Sequence, residues 1–216
     1  MTGFQSHAFT GPRWRSRRFA VVIAFLTLLL TSCAGARTAH ADDTTAPPRP
    51  GVTLVDLDDP AAVAAWTTVN DPVMGGRSTS EITFGGGLVF SGNLSLENNG
   101  GFASARSPQD PEIGRKAAGA TSLRVRAVGD GKTYVLRVGA AGQPWSYIQR
   151  FPTEAAVERS YELPVANFQP VGMRLDPAPD APPTLDPSGI SQISVYILDK
   201  QQGPFEITIS AIEATV

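Results

Sequence analysis

The chain has 216 residues, of which 42% are hydrophobic, and a formal net charge of −2. Its single cysteine, Cys33, and its two histidines, His7 and His40, all lie within the first 40 residues. The rest of the chain therefore lacks thiol and imidazole groups, which excludes Ser-His-Asp and Cys-His nucleophile systems and the usual zinc or copper sites there. The acidic balance also argues against binding to nucleic acid through charge.

The first 30 residues have the pattern of an export signal. Four arginines at positions 13–18 precede an apolar run at 19–30, which is too short to span a bilayer comfortably as a helix. A basic region followed by a short apolar run is typical of a secretory signal peptide. We therefore expect an exported protein.

The end of the apolar run predicts a lipid attachment site. Leu30, Thr31 and Ser32 precede Cys33, an order that resembles the lipobox cut by lipoprotein signal peptidase. We expect residues 1–32 to be removed and Cys33 to carry the lipid, which would anchor the protein at the outer face of the cytoplasmic membrane. This cleavage removes four arginines and no acid, and so changes the formal net charge from −2 to −6.

Two alternatives stay open in this region. An ordinary signal peptidase site ends at Ala41, and cleavage there would release a protein without cysteine. Arg17 and Arg18 resemble part of a twin-arginine signal, so export by either the Sec or the twin-arginine route is open. Residues 33–50 are small, polar and proline-bearing, which predicts a flexible tether before a single domain at 51–216.

Apolar and polar residues alternate through much of this domain, which indicates β-strands. Glycine-containing segments at 85–87 and 129–132 predict hairpin turns. Short strands with such connections favour an all-β fold, an antiparallel β-sandwich. The predicted strands are residues 52–57, 81–84, 88–90, 122–128, 134–138, 147–151, 159–163, 193–198 and 205–212.

Two further segments depart from the strand pattern. Asp59 as a cap and Pro60 at the first helical position predict a short helix within residues 59–66. Residues 176–187 are crowded with proline and aspartate, which predicts an irregular surface loop.

Several segments together carry a resemblance to a known family. They are residues 66–78 (WTTVNDPVMGGRS), 90–106 (FSGNLSLENNGGFASAR), 168–170 (FQP) and 199–205 (DKQQGPF). The chain resembles the complex I intermediate-associated protein 30 family from about Val52 to Ile212. Eukaryotic members of that family assist the assembly of respiratory NADH:ubiquinone oxidoreductase. The resemblance implies a galactose-binding-like jelly roll, related in shape to carbohydrate-binding modules.

The polar loops of these segments are candidate ligand-binding sites. Asn and Asp side chains bond to neighbouring amides, and glycines permit positive φ or close backbone approach. These properties fit both a conformationally demanding loop and a site for a polar ligand. The candidates are Asn70, Asp71, Met74, Gly75, Gly76, Ser78, Asn98, Asn99, Gly100, Ser104, Asp199, Lys200 and Gln201.

Four arginines stand between apolar neighbours at strand positions: Arg106, Arg124, Arg126 and Arg137. We expect them to share the face opposite the core. A solvated sheet face accounts for them, and so does a concave face on which arginines, Trp145 and Tyr147 hold a sugar or carboxylate. Trp66 and Phe102 are expected in the core instead.

Metal binding and catalysis in this domain would depend on carboxylates. Calcium accepts carboxylate and carbonyl oxygens from loops without a linear signature, and its candidate ligands are Asp56, Asp58 and Glu213. Glycoside hydrolysis needs two carboxylates at a defined separation. The candidates for that chemistry are Asp71 together with Glu97 or Asp199.

The leading expectation is a non-catalytic binding or assembly-factor-like domain that recognises a protein partner or an envelope glycan. The alternative is a carbohydrate-active or other small-molecule enzyme that uses carboxylates. A third interpretation is a structural envelope protein whose Asn and Gly motifs serve only the fold.

Overall fold

The computed structural model describes residues 51–216, so the predicted signal peptide, Cys33 and the predicted tether lie outside the described residues. Within the described part, no helix is long and apolar enough to cross a membrane. In chain order, its strands and α-helices are β1 (Val52–Val55), α1 (Pro60–Ala64), β2 (Thr67–Asn70), β3 (Thr79–Phe84), β4 (Leu88–Leu94), β5 (Ala103–Arg106), α2 (Glu112–Ala117), β6 (Ser122–Val128), β7 (Thr133–Gly139), β8 (Ser146–Pro152), β9 (Glu158–Pro164), β10 (Gln169–Val171), β11 (Gln192–Ile197) and β12 (Gly203–Thr215).

The strands form two antiparallel sheets. Sheet A has the order β3-β4-β12-β6-β9, with β1 also paired to β12, and sheet B has the order β10-β8-β7-β11-β5-β2. The 13-residue strand β12 pairs with two strands along the same edge: its first part pairs with β4 and its last part pairs with β1. This arrangement confirms the predicted antiparallel β-sandwich.

The main hydrophobic core is built from alternate residues of both sheets, because successive side chains of a strand point to opposite faces. Sheet A contributes Leu88, Phe90 and Ile207, and sheet B contributes Leu136 and Val195, all with no exposed surface. The two α-helices are short, and the burial of apolar side chains between the sheets accounts for most of the stability.

Two local predictions are confirmed. Helix α1 begins as expected: Pro60 is its first residue, and the Asp59 side chain accepts a hydrogen bond from the Ala61 N–H at 2.9 Å. The glycines at 85–87 close the β3–β4 hairpin. Gly87 is needed there because its φ is +147° and a Cβ atom would lie 2.4 Å from the Ile209 carbonyl oxygen.

The predicted hairpin at 129–132 is wrong. Strand β6 pairs with β12 and β9 in sheet A, whereas β7 pairs with β8 and β11 in sheet B. The segment between them therefore crosses from one sheet to the other. Alternation shows which side chains face the core but not which strand is the neighbour, so the sequence pattern fitted both connections.

The expectation that four arginines share one face is also wrong. Arg124 and Arg126 lie on β6 in sheet A, whereas Arg106 and Arg137 lie on β5 and β7 in sheet B. Each pair alternates with core residues, so the two pairs occupy the outer faces of opposite sheets. On sheet A, Glu213 lies 3.4 Å from Arg124 and 4.0 Å from Arg126.

Phe90 provides a test of the core. It has no exposed surface and packs on Phe205, with the ring centroids 5.0 Å apart. We expect Phe90→Ala to lower the free energy of unfolding by about 4 kcal/mol, because the substitution removes buried surface and leaves a cavity. The measurement is urea denaturation followed by circular dichroism.

The control for this substitution is Phe84→Ala in the same hairpin. Phe84 is 44% exposed, so we expect its truncation to cost less than about 1 kcal/mol. Equal losses for the two variants would contradict the core assigned to Phe90.

Candidate functional site

A cavity of about 290 Å³ opens on the outer face of sheet B. One wall is the 3-10 turn Asp71–Met74, which contributes Val73 and Met74. The opposite wall is the loop after β10, which contributes Met173, Arg174 and Leu175. Between these walls the cavity is lined by Phe102, Arg106 and Tyr196.

Tyr196 is held between two guanidinium groups. The central carbon of the Arg106 guanidinium lies 5.5 Å from the centroid of the Tyr196 ring, and that of Arg137 lies 5.9 Å from it. Both distances are within the range of cation–π attraction. The strand register explains the arrangement, because Ser194 pairs with Arg106 on one side and Arg137 on the other, and Tyr196 follows two residues later on the same face.

Buried serines fix the orientation of both arginines. Arg106 Nε donates to Ser104 Oγ at 3.1 Å, and Arg137 Nε donates to Ser146 Oγ at 2.7 Å. Arg137 also donates from Nη1 to the Tyr196 hydroxyl at 3.3 Å. The guanidinium groups are therefore preorganised by neutral partners.

A third arginine of sheet B is neutralised instead. Arg150 donates from Nε and Nη2 to the two carboxylate oxygens of Asp199, at 2.7 and 2.8 Å. By contrast, no carboxylate oxygen of residues 51–216 lies within 4.0 Å of a nitrogen of Arg106, Arg137 or Arg174. Arg106 and Arg137 on sheet B, and Arg174 in the loop after β10, thus have no ionic partner among the described residues.

Asp71 is only 1% exposed, and its carboxylate joins two of the family-like segments. Oδ1 accepts from the Ser78 N–H at 2.8 Å, and Oδ2 accepts from Ser78 Oγ at 2.5 Å. Oδ2 also accepts from the N–H groups of Gly101 and Phe102, at 2.6 and 3.2 Å. Burial raises the pKa of Asp71, but these hydrogen bonds outweigh it and hold the pKa below its usual value.

Nearby glycines make room for this carboxylate. A Cβ atom at Gly76 would lie 2.4 Å from Asp71 Cγ, and one at Gly100 would lie 2.7 Å from Asp71 Oδ2. Gly75 ends the 3-10 turn with a φ of 92°, a conformation that favours glycine. These contacts favour the structural interpretation of the Asp and Gly residues in both motifs.

The candidate asparagines also contact their own chain. Asn98 Nδ2 donates to the Gly75 carbonyl oxygen at 3.1 Å, and Asn98 and Asn99 both have positive φ. The amide group of Asn70 lies 2.8 Å from the Ser80 hydroxyl. These contacts likewise favour a role in loop conformation.

The segment after β11 has a similar role. Gln201 Nε2 donates to the carbonyl oxygens of Thr133 and Leu198, and its Oε1 accepts from the Thr133 N–H. Asp199 and Lys200 have positive φ, and neither lines the cavity. Of the predicted binding residues, the structure brings Met74 and Arg106 to the cavity, with Ser104 hydrogen-bonded to Arg106.

Trp145 and Tyr147 lie elsewhere. They line a second cavity of about 180 Å³ with Leu185 and Ile190. The Tyr147 hydroxyl donates to the Pro182 carbonyl oxygen at 2.9 Å, and burial, followed by a nearby carboxylate, raises the pKa of Tyr147. These aromatics do not line the cavity that Arg106 lines.

Trp66 lies in the core as expected, at 6% exposure. Phe102 does not lie in the main core. It packs with Tyr196 and Leu175 in a smaller cluster that includes Val135 and Ile148. Tyr196, Met173 and Leu175 line the cavity but were not predicted to do so, although Tyr196 alternates with the core residues Val195 and Ile197.

The carboxylates considered for catalysis have separate partners. Asp71 is occupied by its four hydrogen bonds, Asp199 pairs with Arg150, and Glu97 lies 3.3 Å from Arg77. These contacts give no support to a shared catalytic cleft.

The calcium candidates likewise stay a prediction. The Asp58 N–H donates to Asp56 Oδ1, while Glu213 pairs with arginines of sheet A. Within residues 51–216 there is no group of three or more acidic, His or Cys residues placed to hold a metal ion.

Two solved structures with a similar fold are family 11 carbohydrate-binding modules. A family 11 module of the cellulase Lic26A-Cel5E of Clostridium thermocellum aligns with a TM-score of 0.56 and 13% identity, over 78% of this chain and 96% of that one. A family 11 module from Clostridium thermocellum in complex with a β-1,3-1,4-mixed-linked tetrasaccharide gives 0.52 and 15%, over 74% and 94%. The fold is thus a β-sandwich of the carbohydrate-binding-module type.

The family model described as Complex I intermediate-associated protein 30 (CIA30) matches residues 55–209, and the chain belongs to this family. No curated protein matches the chain in sequence. The family membership and the galactose-binding-like sandwich predicted from the motifs are confirmed.

Asp71→Asn tests the hydrogen bonds from Ser78, Gly101 and Phe102 to the Asp71 carboxylate, which we call the Asp71 junction. The neutral amide replaces one acceptor oxygen by a donor that faces N–H or O–H donors, so we expect a loss of about 3 kcal/mol in unfolding free energy at pH 7. The pKa of Asp71 is lower in the folded protein than in the unfolded chain, where it is about 3.9. The ionised carboxylate therefore stabilises the folded state fully above about pH 3.9, and this stabilisation is lost as the pH falls through the pKa of the folded protein. The difference between wild type and variant should therefore shrink in acid.

The control is Glu97→Gln, whose ion pair with Arg77 is exposed. We expect a change within about 0.5 kcal/mol for this variant. Thermal or urea unfolding across pH 2–7 measures both variants, and an Asp71→Asn stability equal to wild type at pH 7 would refute the proposed junction.

Proposed function

We propose that this protein is a non-catalytic binding domain, attached through a lipid on Cys33 to the outer face of the cytoplasmic membrane, that binds an envelope glycan in the cavity on sheet B. The observation that carries the proposal is the preorganised cluster of Arg106, Tyr196 and Arg137 beside an open cavity. Membership of the CIA30 family and the fold of a carbohydrate-binding module fit a non-catalytic binding domain.

The lining chemistry supports a glycan. Phe102, Met74 and Leu175 offer apolar surface to the C–H faces of a sugar ring, while a guanidinium offers planar N–H donors to its oxygens. A mostly apolar cavity with a few oriented polar groups is the usual form of a ligand site. The family 11 module described with a tetrasaccharide makes glycans the first ligand class to test.

A protein partner is the second candidate. Val73, Met74 and Met173 border the cavity and are 71%, 61% and 82% exposed. Exposed apolar side chains grouped around a cavity are a feature of protein interfaces. Eukaryotic family members act in the assembly of a protein complex, which agrees with this candidate.

Blocking the cavity mouth tests the site. In Val73→Trp the indole would occupy the mouth without disturbing the core, so we expect binding to envelope polysaccharide to fall at least about tenfold, as measured by affinity electrophoresis. The matched control is Val52→Trp, because Val52 is 50% exposed on β1 of sheet A.

We expect the Val52→Trp protein to bind like wild type. No binding of wild type to any envelope polysaccharide would refute the glycan proposal. A reproducible crosslinked protein partner that Val73→Trp loses would then support the protein alternative.

Cys33→Ser tests the anchor. A serine cannot receive the lipid, so we expect the variant to be released from membranes or to remain unprocessed. Fractionation of cells and the mass of the mature N-terminus measure this. Unchanged membrane retention with cleavage after Ala41 would show that the ordinary signal peptidase boundary is used.

A further inference from the structure

The cations of the sheet B cavity are not balanced by acids. Arg106 and Arg174 both line it, and no Asp or Glu is among its lining residues in the described part of the chain. This imbalance occurs in a protein whose formal net charge is negative. A surplus of basic residues therefore does not explain it.

We infer that the ligand of this cavity is an acidic glycan, whose sugar carboxylate is bound by Arg106 with help from Arg174. This inference rests on the proposed function and names the chemistry of its ligand. A planar guanidinium matches a carboxylate with two parallel hydrogen bonds.

Arg106 is prepared for such a contact. Its Nε is occupied by Ser104 Oγ, and its guanidinium lies against the Tyr196 ring. No hydrogen bond to a described residue uses its two terminal nitrogens, so both are available to a ligand. Because serine and tyrosine orient the group without neutralising it, the positive charge is retained for an incoming anion.

Arg174 supplies a second cation at the opposite wall. It is exposed and forms no hydrogen bond, ion pair or ring contact with residues 51–216. Its loop turns back at Leu175, whose φ of 61° is unusual for a leucine. Hydrogen bonds from the Gly172 N–H to the Asp176 carbonyl oxygen and from the Leu175 N–H to the Gly172 carbonyl oxygen hold this turn.

Arg137 has a different role. It does not line the cavity, and its Nη1 donates to the Tyr196 hydroxyl. Arg137 is therefore a positioning residue that holds the ring against which Arg106 lies.

A pair of polysaccharides that differ only in charge provides the test. The purified protein is titrated with polygalacturonate and with the same polymer after chemical reduction of its carboxyl groups, by isothermal calorimetry. We expect the polyuronate to bind at least about tenfold more tightly, the value of one charge-assisted hydrogen bond. We also expect the difference to shrink as the salt concentration rises.

Arginine variants link this preference to the cavity. Arg106→Gln and Arg174→Gln should each lose about tenfold in affinity for the polyuronate and little for the reduced polymer. Arg106→Lys keeps the charge but not the planar group, so its affinity should be intermediate. Arg150→Gln is the matched control, because Arg150 is paired with Asp199 and does not line the cavity, and it should bind like wild type.

The outcomes separate the inference from the proposed function. Equal binding of both polymers, or a preference for the reduced one, would overturn the acidic-ligand inference while the glycan proposal stands. Failure to bind any polysaccharide, neutral or acidic, would remove both. Binding of acidic peptides without polyuronate would also overturn the inference. If Arg106→Gln proves unstable by thermal unfolding, the exposed Arg174 alone decides the outcome.

Discussion

The buried carboxylate of Asp71 is the contact on which the candidate site depends. It accepts four hydrogen bonds and so ties the turn at 71–78 to the segment that enters β5. The Asp71 N–H also donates to the Phe102 carbonyl oxygen at 3.2 Å. One cavity wall, Val73 and Met74, follows Asp71 directly, and Phe102 is one of its partners. A charged group that is fully hydrogen-bonded in the interior fixes its neighbours closely, so the shape of the cavity rests on this junction.

The same contact explains why the motifs look like a binding site in sequence. Gly76 and Gly100 leave space for the Asp71 carboxylate, and the neighbouring Asn98 and Asn99 adopt positive φ. Residues that permit an unusual backbone are the ones that also offer oxygens and amides to a ligand. The structure assigns most of those groups to contacts within the chain. Part of the surface that remains for a ligand is made of side chains outside these motifs, among them Met173 and Leu175.

The sandwich was predictable because alternation reports burial directly. All nine predicted strands lie at strands of the structure, whereas β2, β5, β10 and α2 were not predicted, since they are short and carry little periodicity. The pairing of the strands was harder to predict than their positions. The glycines at 129–132 fit a hairpin turn, yet the chain passes from sheet A to sheet B there. The position of Tyr196 on the outer face of the sheet could have been predicted, because Tyr196 alternates with the buried residues Val195 and Ile197. Its proximity to Arg106 and Arg137 depends on the strand order β5-β11-β7, which the sequence does not encode locally.

Ion-paired and unpaired arginines lie on different parts of the sandwich, and the unpaired Arg106 lies at the cavity of sheet B. On sheet A, Arg124 and Arg126 share Glu213, as expected for a network that supports the sheet. On sheet B, Arg150 is neutralised by Asp199. Arg106, Arg137 and Arg174 differ from these paired arginines, because none of them has a carboxylate oxygen of residues 51–216 within 4.0 Å. At the cavity, the neutral Ser104 hydroxyl and the Tyr196 ring orient Arg106, and no hydrogen bond to a described residue uses its two terminal nitrogens, which the proposed ligand would contact.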